Sequence, residues 1–148
     1  MSTADRVFLD TNILVYGQLS KCPLFETVEQ RLANLEATGK EFWISRQVLR
    51  EYLAVMTRGE GLTAVPPMAD LLVDIQFFCQ RYRIAEDGPS VTRQLVDLLT
   101  AIPCAGKQIH DANIVATMLA GSVGRLLTHN VDDFRRYSNK ISVEALVP

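Results

Sequence analysis

The stretch Arg6 to Tyr16, RVFLDTNILVY, sets an acidic residue and two small polar ones inside an otherwise apolar run. VFLD around Val7 reads as a short buried strand, and Asp10 falls at its end. A carboxylate there is expensive to desolvate unless a cation or a set of backbone N–H groups stabilises its charge. Two readings of Asp10 follow. It bonds its own turn or caps the next helix, with Asn12 doing similar work, or it belongs to a binding site.

Outward from this stretch, short apolar runs alternate with longer helical patterns, which is the signature of an α/β fold with a mainly parallel sheet. Further strands are expected at FWIS near Trp43, weakly from Tyr82 to Ala85, and at RLLT near Leu126, with ISVEAL as an added edge. Helical periodicity runs from Leu24 to about Glu36, where Thr38-Gly39 ends it, and from an N-cap at Ser45 to Thr57. GEGLTAVPP then breaks the chain. Met68 to Arg81 and Val91 to Ala101 read as two helices separated by Asp87-Gly88-Pro89, and Ile109 to Ala120 as another, with Gly121 as its C′ residue. No repeat, low-complexity tract or linker divides the chain, so residues 1–148 are expected to form one domain.

In open parallel sheets, ligands bind beyond the carboxyl ends of the strands. Asp10 ends the first strand, Glu51 sits in the helix after the second, Asp111 lies in the first turn of the helix before RLLT, and Asp132 and Asp133 follow that strand. Asp111 shares a helix face with the apolar Ile114, Val115 and Met118, so that face looks inward. The alternative for Asp111 is complementation of the helix macrodipole; for Glu51, which lies off the stripe of Val48, Leu49, Tyr52, Leu53 and Met56, it is a solvated face. Carboxylates converging without Lys or Arg between them repel one another, and the usual remedy is a hard divalent cation, Mg²⁺ or Mn²⁺.

Composition narrows the classes. With 148 residues, of which 48% are hydrophobic, the chain can bury a substantial core. A net charge of −2 argues against a generally basic nucleic-acid binder, though a local basic patch remains compatible with it. Cys22, Cys79 and Cys104 are odd in number and lack CxxC or Cys/His pairing, so they are read as small buried apolar residues in a reducing compartment. The first residues lack the pattern of a signal peptide, and no apolar run approaches the roughly 18 residues of a membrane span. A cytoplasmic protein is expected.

The segments FLDTNILVY, SRQVLREYLAVMTR, IHDANIVATML and LLTHNVDDF resemble, in order and approximate spacing, those of PIN-domain ribonucleases, most of all VapC-type toxins of bacterial toxin–antitoxin pairs. The resemblance spans nearly the whole chain. It implies a three-layer α/β/α sandwich around a mainly parallel sheet, an acidic Mg²⁺ or Mn²⁺ site, endonucleolytic cleavage of RNA, and a cognate antitoxin. Carried over, Asp10, Glu51 and Asp111 match the core acids, with Asp10 and Asp111 as metal ligands. Thr128, Asn130 and Asp133 match the positions after the fourth strand. Many relatives carry Asp where Asn130 stands, so Asn130, Asp132 or Asp133 fills the fourth position, and one or two ions remain open. Thr11 and Asn12 are then expected to hydrogen-bond around the site, or simply to start a helix.

Arg46 and Arg50, one turn apart beside Glu51, and Lys107, shortly before Asp111, are expected to rim the cleft and hold phosphates, or else to be ordinary solvated charge. Arg135, Arg136 and Lys140 form a second basic patch. His110 and His129 lack HxxxH spacing and read as structural. Apolar helical surface on either side of GEGLTAVPP supports a homodimer or an antitoxin groove, or is core. Rival functions are a non-catalytic PIN-like RNA-binding or interaction module, an aspartyl phosphatase and a dinucleotide-binding domain. The intact Asp10, Glu51 and Asp111 set speaks against the first. The second needs an acid where Asn12 stands, and the third a GxGxxG that LDTNILVYG lacks.

Overall fold

The computed structural model describes all residues, Met1–Pro148. Its centre is a five-stranded sheet in the order β3-β2-β1-β4-β5, formed by β1 (Arg6–Leu9), β2 (Glu41–Ser45), β3 (Arg83–Ala85), β4 (Arg125–Thr128) and β5 (Ser142–Ala145). The sheet is parallel throughout, not merely in the main. Val7, Phe8 and Leu9 are fully buried, as are Leu126 and Leu127, because helices cover the central strands on both faces.

The helices are α1 (Thr11–Gln18), α2 (Phe25–Ala37), α3 (Arg46–Arg58), α4 (Met68–Arg81), α5 (Pro89–Ala101), α6 (Gln108–Ala120) and α7 (Val131–Phe134). α1 packs on α2 and α3, and α3 on α4, whereas α5 packs on α6 and α6 on α7. Right-handed crossovers explain this division. The chain steps from β1 to β3 in one direction with α1 to α4 on one face, then returns through α5 and α6 on the other. That reversal lies between β1 and β4, so the crevice beyond their carboxyl ends is a topological switch point.

Local chemistry sets the ends of the elements. Ser45 caps α3, its hydroxyl accepting from the Val48 N–H at 3.4 Å, and Gly59 ends that helix in the left-handed region at φ 71°. The stop of α6 differs from expectation by one residue. Gly121 is the C-cap at φ −91°, and Ser122 takes the left-handed conformation at φ 56°. The Val123 N–H then bonds the Met118 carbonyl at 2.9 Å and the Ser122 N–H the Leu119 carbonyl at 3.3 Å, closing a Schellman motif around Ser122. The cysteines also depart from expectation: Cys22 and Cys104 are half-buried and Cys79 is exposed, since the buried side of α4 is taken by Leu71 and Phe78. No helix is long and apolar enough to cross a membrane.

Candidate active site

Asp10 leaves β1 in an extended conformation and caps α1. Its Oδ1 accepts from the Thr11 N–H at 2.8 Å. Its Oδ2 accepts from the Thr128 hydroxyl at 2.8 Å, and Asn12 Nδ2 lies 3.3 Å from the same oxygen. The capping reading of Asp10 is therefore realised, and it coexists with a place in a cleft. Asp10, Thr11, Asn12, Glu51, Asp111, Asn130 and Asp133 all line an open cleft of about 570 Å³ at the switch point.

The two strand ends are bonded to each other as well as to the cleft. Thr128, wholly buried at the end of β4, donates to Asp10 and accepts from the Asn130 N–H at 3.0 Å. Asn12 accepts from the His129 N–H at 3.1 Å through its Oδ1. Thr11 and Asn12 thus do both things expected of them, since α1 starts at Thr11 and both side chains bond within the site. Thr11 also donates its hydroxyl to Glu51 Oε2 at 2.7 Å. Glu51 turns inward rather than lying on a solvated face; its Oε1 accepts from Gln47 Nε2 at 2.8 Å.

Of the ionic side chains lining the cleft, Asp10, Glu51, Asp111 and Asp133 are acids and only Arg58 and Lys107 are bases. Burial pushes the Asp10 carboxyl up to about 6, against the hydrogen bonds from Thr128 and Thr11, while the Glu51 and Asp133 charges add to the rise. Burial likewise pushes Asp111 up to about 7, reinforced by Asp10, Asp133 and Glu51 and opposed by Arg136. The acids are thus held together at an electrostatic cost that a cation would relieve. No three His, Cys, Asp or Glu side chains converge as a ready-made ligand cage. A Mg²⁺-like ion does not require one: it usually keeps several waters and takes one or two carboxylates. The donor set, oxygen only and strongly anionic, fits such an ion.

Among the candidates for the fourth acidic position, Asn130 and Asp133 reach the cleft. Asp132 points away, its side chain 88% exposed and paired with Arg135 at 2.7 Å. The basic rim also differs from expectation. Lys107 lines the cleft, but Arg46 and Arg50 do not. Arg46 instead makes a two-pronged pair with Glu86, at 2.8 and 2.6 Å, because its position in the first turn of α3 faces the end of β3. Arg50 is exposed. Arg58, not among the expected rim cations, takes the rim position on α3. The signal was present in its spacing, seven residues after Glu51 and hence on the same helix face. His110 lines the cleft too, and the His129 ring meets Tyr16 edge-on at 5.5 Å.

The model of the PIN domain family matches residues 7–140. No curated protein matches the sequence. Among solved structures, the chain is similar to VapBC2 from Rickettsia felis bound to a DNA fragment from their promoter, at 23% identity over 95% of this chain and 98% of that one, with a TM-score of 0.72. It is similar to VapBC-1 from nontypeable Haemophilus influenzae, at 18% identity over 97% and 99%, with a TM-score of 0.68. It is also similar to Mycobacterium tuberculosis VapC20, a Sarcin-Ricin loop cleaving toxin, at 14% identity over 81% and 86%, with a TM-score of 0.62.

Proposed function

The chain belongs to the PIN domain family, and on that premise we propose that it is a metal-dependent endoribonuclease, the toxin of a toxin–antitoxin pair. The observation that carries this reading is the convergence of Asp10, Glu51, Asp111 and Asp133 on one cleft, with the Asp10 and Asp111 carboxyls raised. Asp10 and Asp111 would hold Mg²⁺ or Mn²⁺, while Glu51 and Asp133 add negative charge around it. When bound, such an ion activates water at neutral pH and neutralises charge on a phosphodiester under attack.

The remaining work falls to the chain's own side chains. Thr128 and the Thr11 N–H fix both oxygens of Asp10, so its carboxylate presents one orientation to the cleft. The Thr11 hydroxyl holds Glu51 from the same turn. Lys107 and Arg58 stand at the rim, where cations bind the phosphates flanking the cleaved bond. His110 has no assigned role in this scheme.

For the antitoxin, an apolar groove of about 600 Å³ runs between α1, α2 and α4, lined by Ile13, Leu14, Phe25, Val28, Val73 and Phe77. Val73 is 61% exposed and Phe77 47%. An amphipathic helix laid into it would cover them. A homodimer belongs to the same proposal, with Val65, Met68 and Val96 as further exposed apolar side chains; sedimentation of the isolated chain tests it.

The decisive experiment is RNA cleavage by purified protein with Mg²⁺, Mn²⁺ or EDTA. Activity should require the ion, disappear in Asp10→Asn, and survive in His110→Ala. Cleavage unaffected by EDTA, or a His110→Ala variant as inactive as Asp10→Asn, would refute the carboxylate–metal mechanism. An inactive wild type that still binds RNA would favour the non-catalytic module instead.

A further inference from the structure

Gln47 is a polar side chain only 7% exposed, on a helix whose other buried residues are Val48, Leu49, Tyr52 and Met56. An apolar residue would fill that place without needing partners, whereas a buried amide is costly unless every polar atom is bonded. Gln47 is bonded fully. Its Nε2 donates to Glu51 Oε1 at 2.8 Å and to the His110 carbonyl at 2.8 Å, and its Oε1 accepts from Asn113 Nδ2 at 2.8 Å. Asn113 Nδ2 in turn lies 3.2 Å from Asp87 Oδ2.

These bonds have a direction. His110 and Asn113 both belong to α6 and flank Asp111 in sequence, so the Gln47 amide is anchored to the turn that carries that acid. Its free donor is spent on Glu51, whose other oxygen is held by Thr11 on α1. The Glu51 carboxylate is therefore pinned from two helices at once. We infer that Gln47 is a positioning residue: it fixes the Glu51 carboxylate relative to α6 and thereby sets Glu51 and Asp111 in register across the cleft. The inference rests on the nuclease reading above. With Gln47 gone, Glu51 keeps only the Thr11 bond and turns about it. Gln47 does not line the cleft, so its loss should act on turnover and cation binding, and not on capture of RNA.

The test uses Gln47→Met, which keeps the volume and removes all three bonds, alone and combined with Glu51→Ala. Urea unfolding checks that each variant folds. Turnover of a short RNA with Mn²⁺ should fall by about tenfold or more with KM unchanged, and Mn²⁺ affinity in calorimetry should fall by about the same factor. In the Glu51→Ala background, adding Gln47→Met should change Mn²⁺ affinity by less than about twofold, because the partner it acts through is gone. Should Gln47→Met fail to fold, Asn113→Ala frees the far end of the amide and should lower turnover in the same direction, again without moving KM. Wild-type turnover in a folded Gln47→Met, a loss confined to KM, or an equal loss of Mn²⁺ affinity with and without Glu51 would each overturn the inference. A wild type that neither cleaves RNA nor binds Mn²⁺ would overturn the nuclease reading itself, a result distinct from a Gln47→Met variant matching an active wild type.

Discussion

Replacing Asp111 by Asn should make the metal-free protein more stable, although the substitution removes an acid from the first turn of a helix. Burial and the charges of Asp10, Asp133 and Glu51 raise the Asp111 carboxyl from 3.8 to about 7. A carboxyl whose folded-state value is raised costs nothing below pH 3.8, where it is neutral in both states. The cost grows as pH rises through the window from 3.8 to about 7 and is complete above it. At about 1.36 kcal/mol per pH unit, the full shift corresponds to roughly 4 kcal/mol. Asp111 is only partly buried, and solvent screening brings this down to roughly 1–2 kcal/mol. Loss of the helix-dipole contribution takes back about 0.3–1 kcal/mol. The net gain is about 1 kcal/mol, or a melting temperature higher by about 2–4 °C. Thermal unfolding in EDTA between pH 4 and 8 should show the wild type weakening steadily as pH rises to about 7. The mutant should follow a shallower curve, set by Asp10, that levels off at about 6. Mn²⁺ should then raise the wild-type melting temperature and leave the mutant's nearly unmoved, because mass action stabilises only where a site remains. A mutant that melts lower than wild type in EDTA at pH 8, or that responds to Mn²⁺ as wild type does, would refute the reasoning and leave Asp111 as a helix-start residue.

Three further substitutions have expected outcomes. Lys107→Gln should weaken RNA binding and reduce the salt slope of the affinity by about 0.7, the value for one phosphate contact on a single strand, as measured by fluorescence anisotropy across salt concentrations. Arg46→Gln should leave both unchanged, since Arg46 is paired with Glu86 outside the cleft. Thr128→Val keeps the shape but removes the shorter of the two hydrogen bonds to Asp10 Oδ2 and strips the Asn130 N–H of its acceptor, so urea denaturation should show a loss of about 1–3 kcal/mol; an unaltered midpoint would show that water replaces the hydroxyl.

Much of this molecule was written locally. All five strands fall where they are expected; the central β1, β2 and β4 are the plainest, because a strand covered on both faces reads as an apolar run, whereas the partly exposed edges β3 and β5 carry a weaker signal. The long helices α2 to α6 lie within one or two residues of their periodic segments, since caps such as Ser45 and breaks such as Gly59 are properties of a few adjacent residues. The short α1 shows only its start, at Thr11, and the single-turn α7 shows nothing, because too few residues lie in them to display a period. The acids themselves, Asp10, Glu51, Asp111 and Asp133, stood out because charged groups at strand ends and on apolar helix faces are costly.

Tertiary packing alone decided how those acids are held. Glu51 lay off the apolar stripe of its helix and had the look of a solvated residue until Thr11 from α1 and Gln47 from its own helix were seen to bond its two oxygens. Arg46 and Asp132 were local candidates for the site, yet Glu86 and Arg135 draw them elsewhere, while Arg58 reaches the cleft and Gln47 stands behind it, bonded to Glu51, both unannounced. The physical reason is reach. Periodicity and capping depend on neighbours a few residues away, whereas a hydrogen bond or ion pair between long side chains is settled within about 3 Å. Whether Arg46 meets Glu86 or a phosphate turns on where the end of β3 stands against the first turn of α3, and only the assembled sheet fixes that distance.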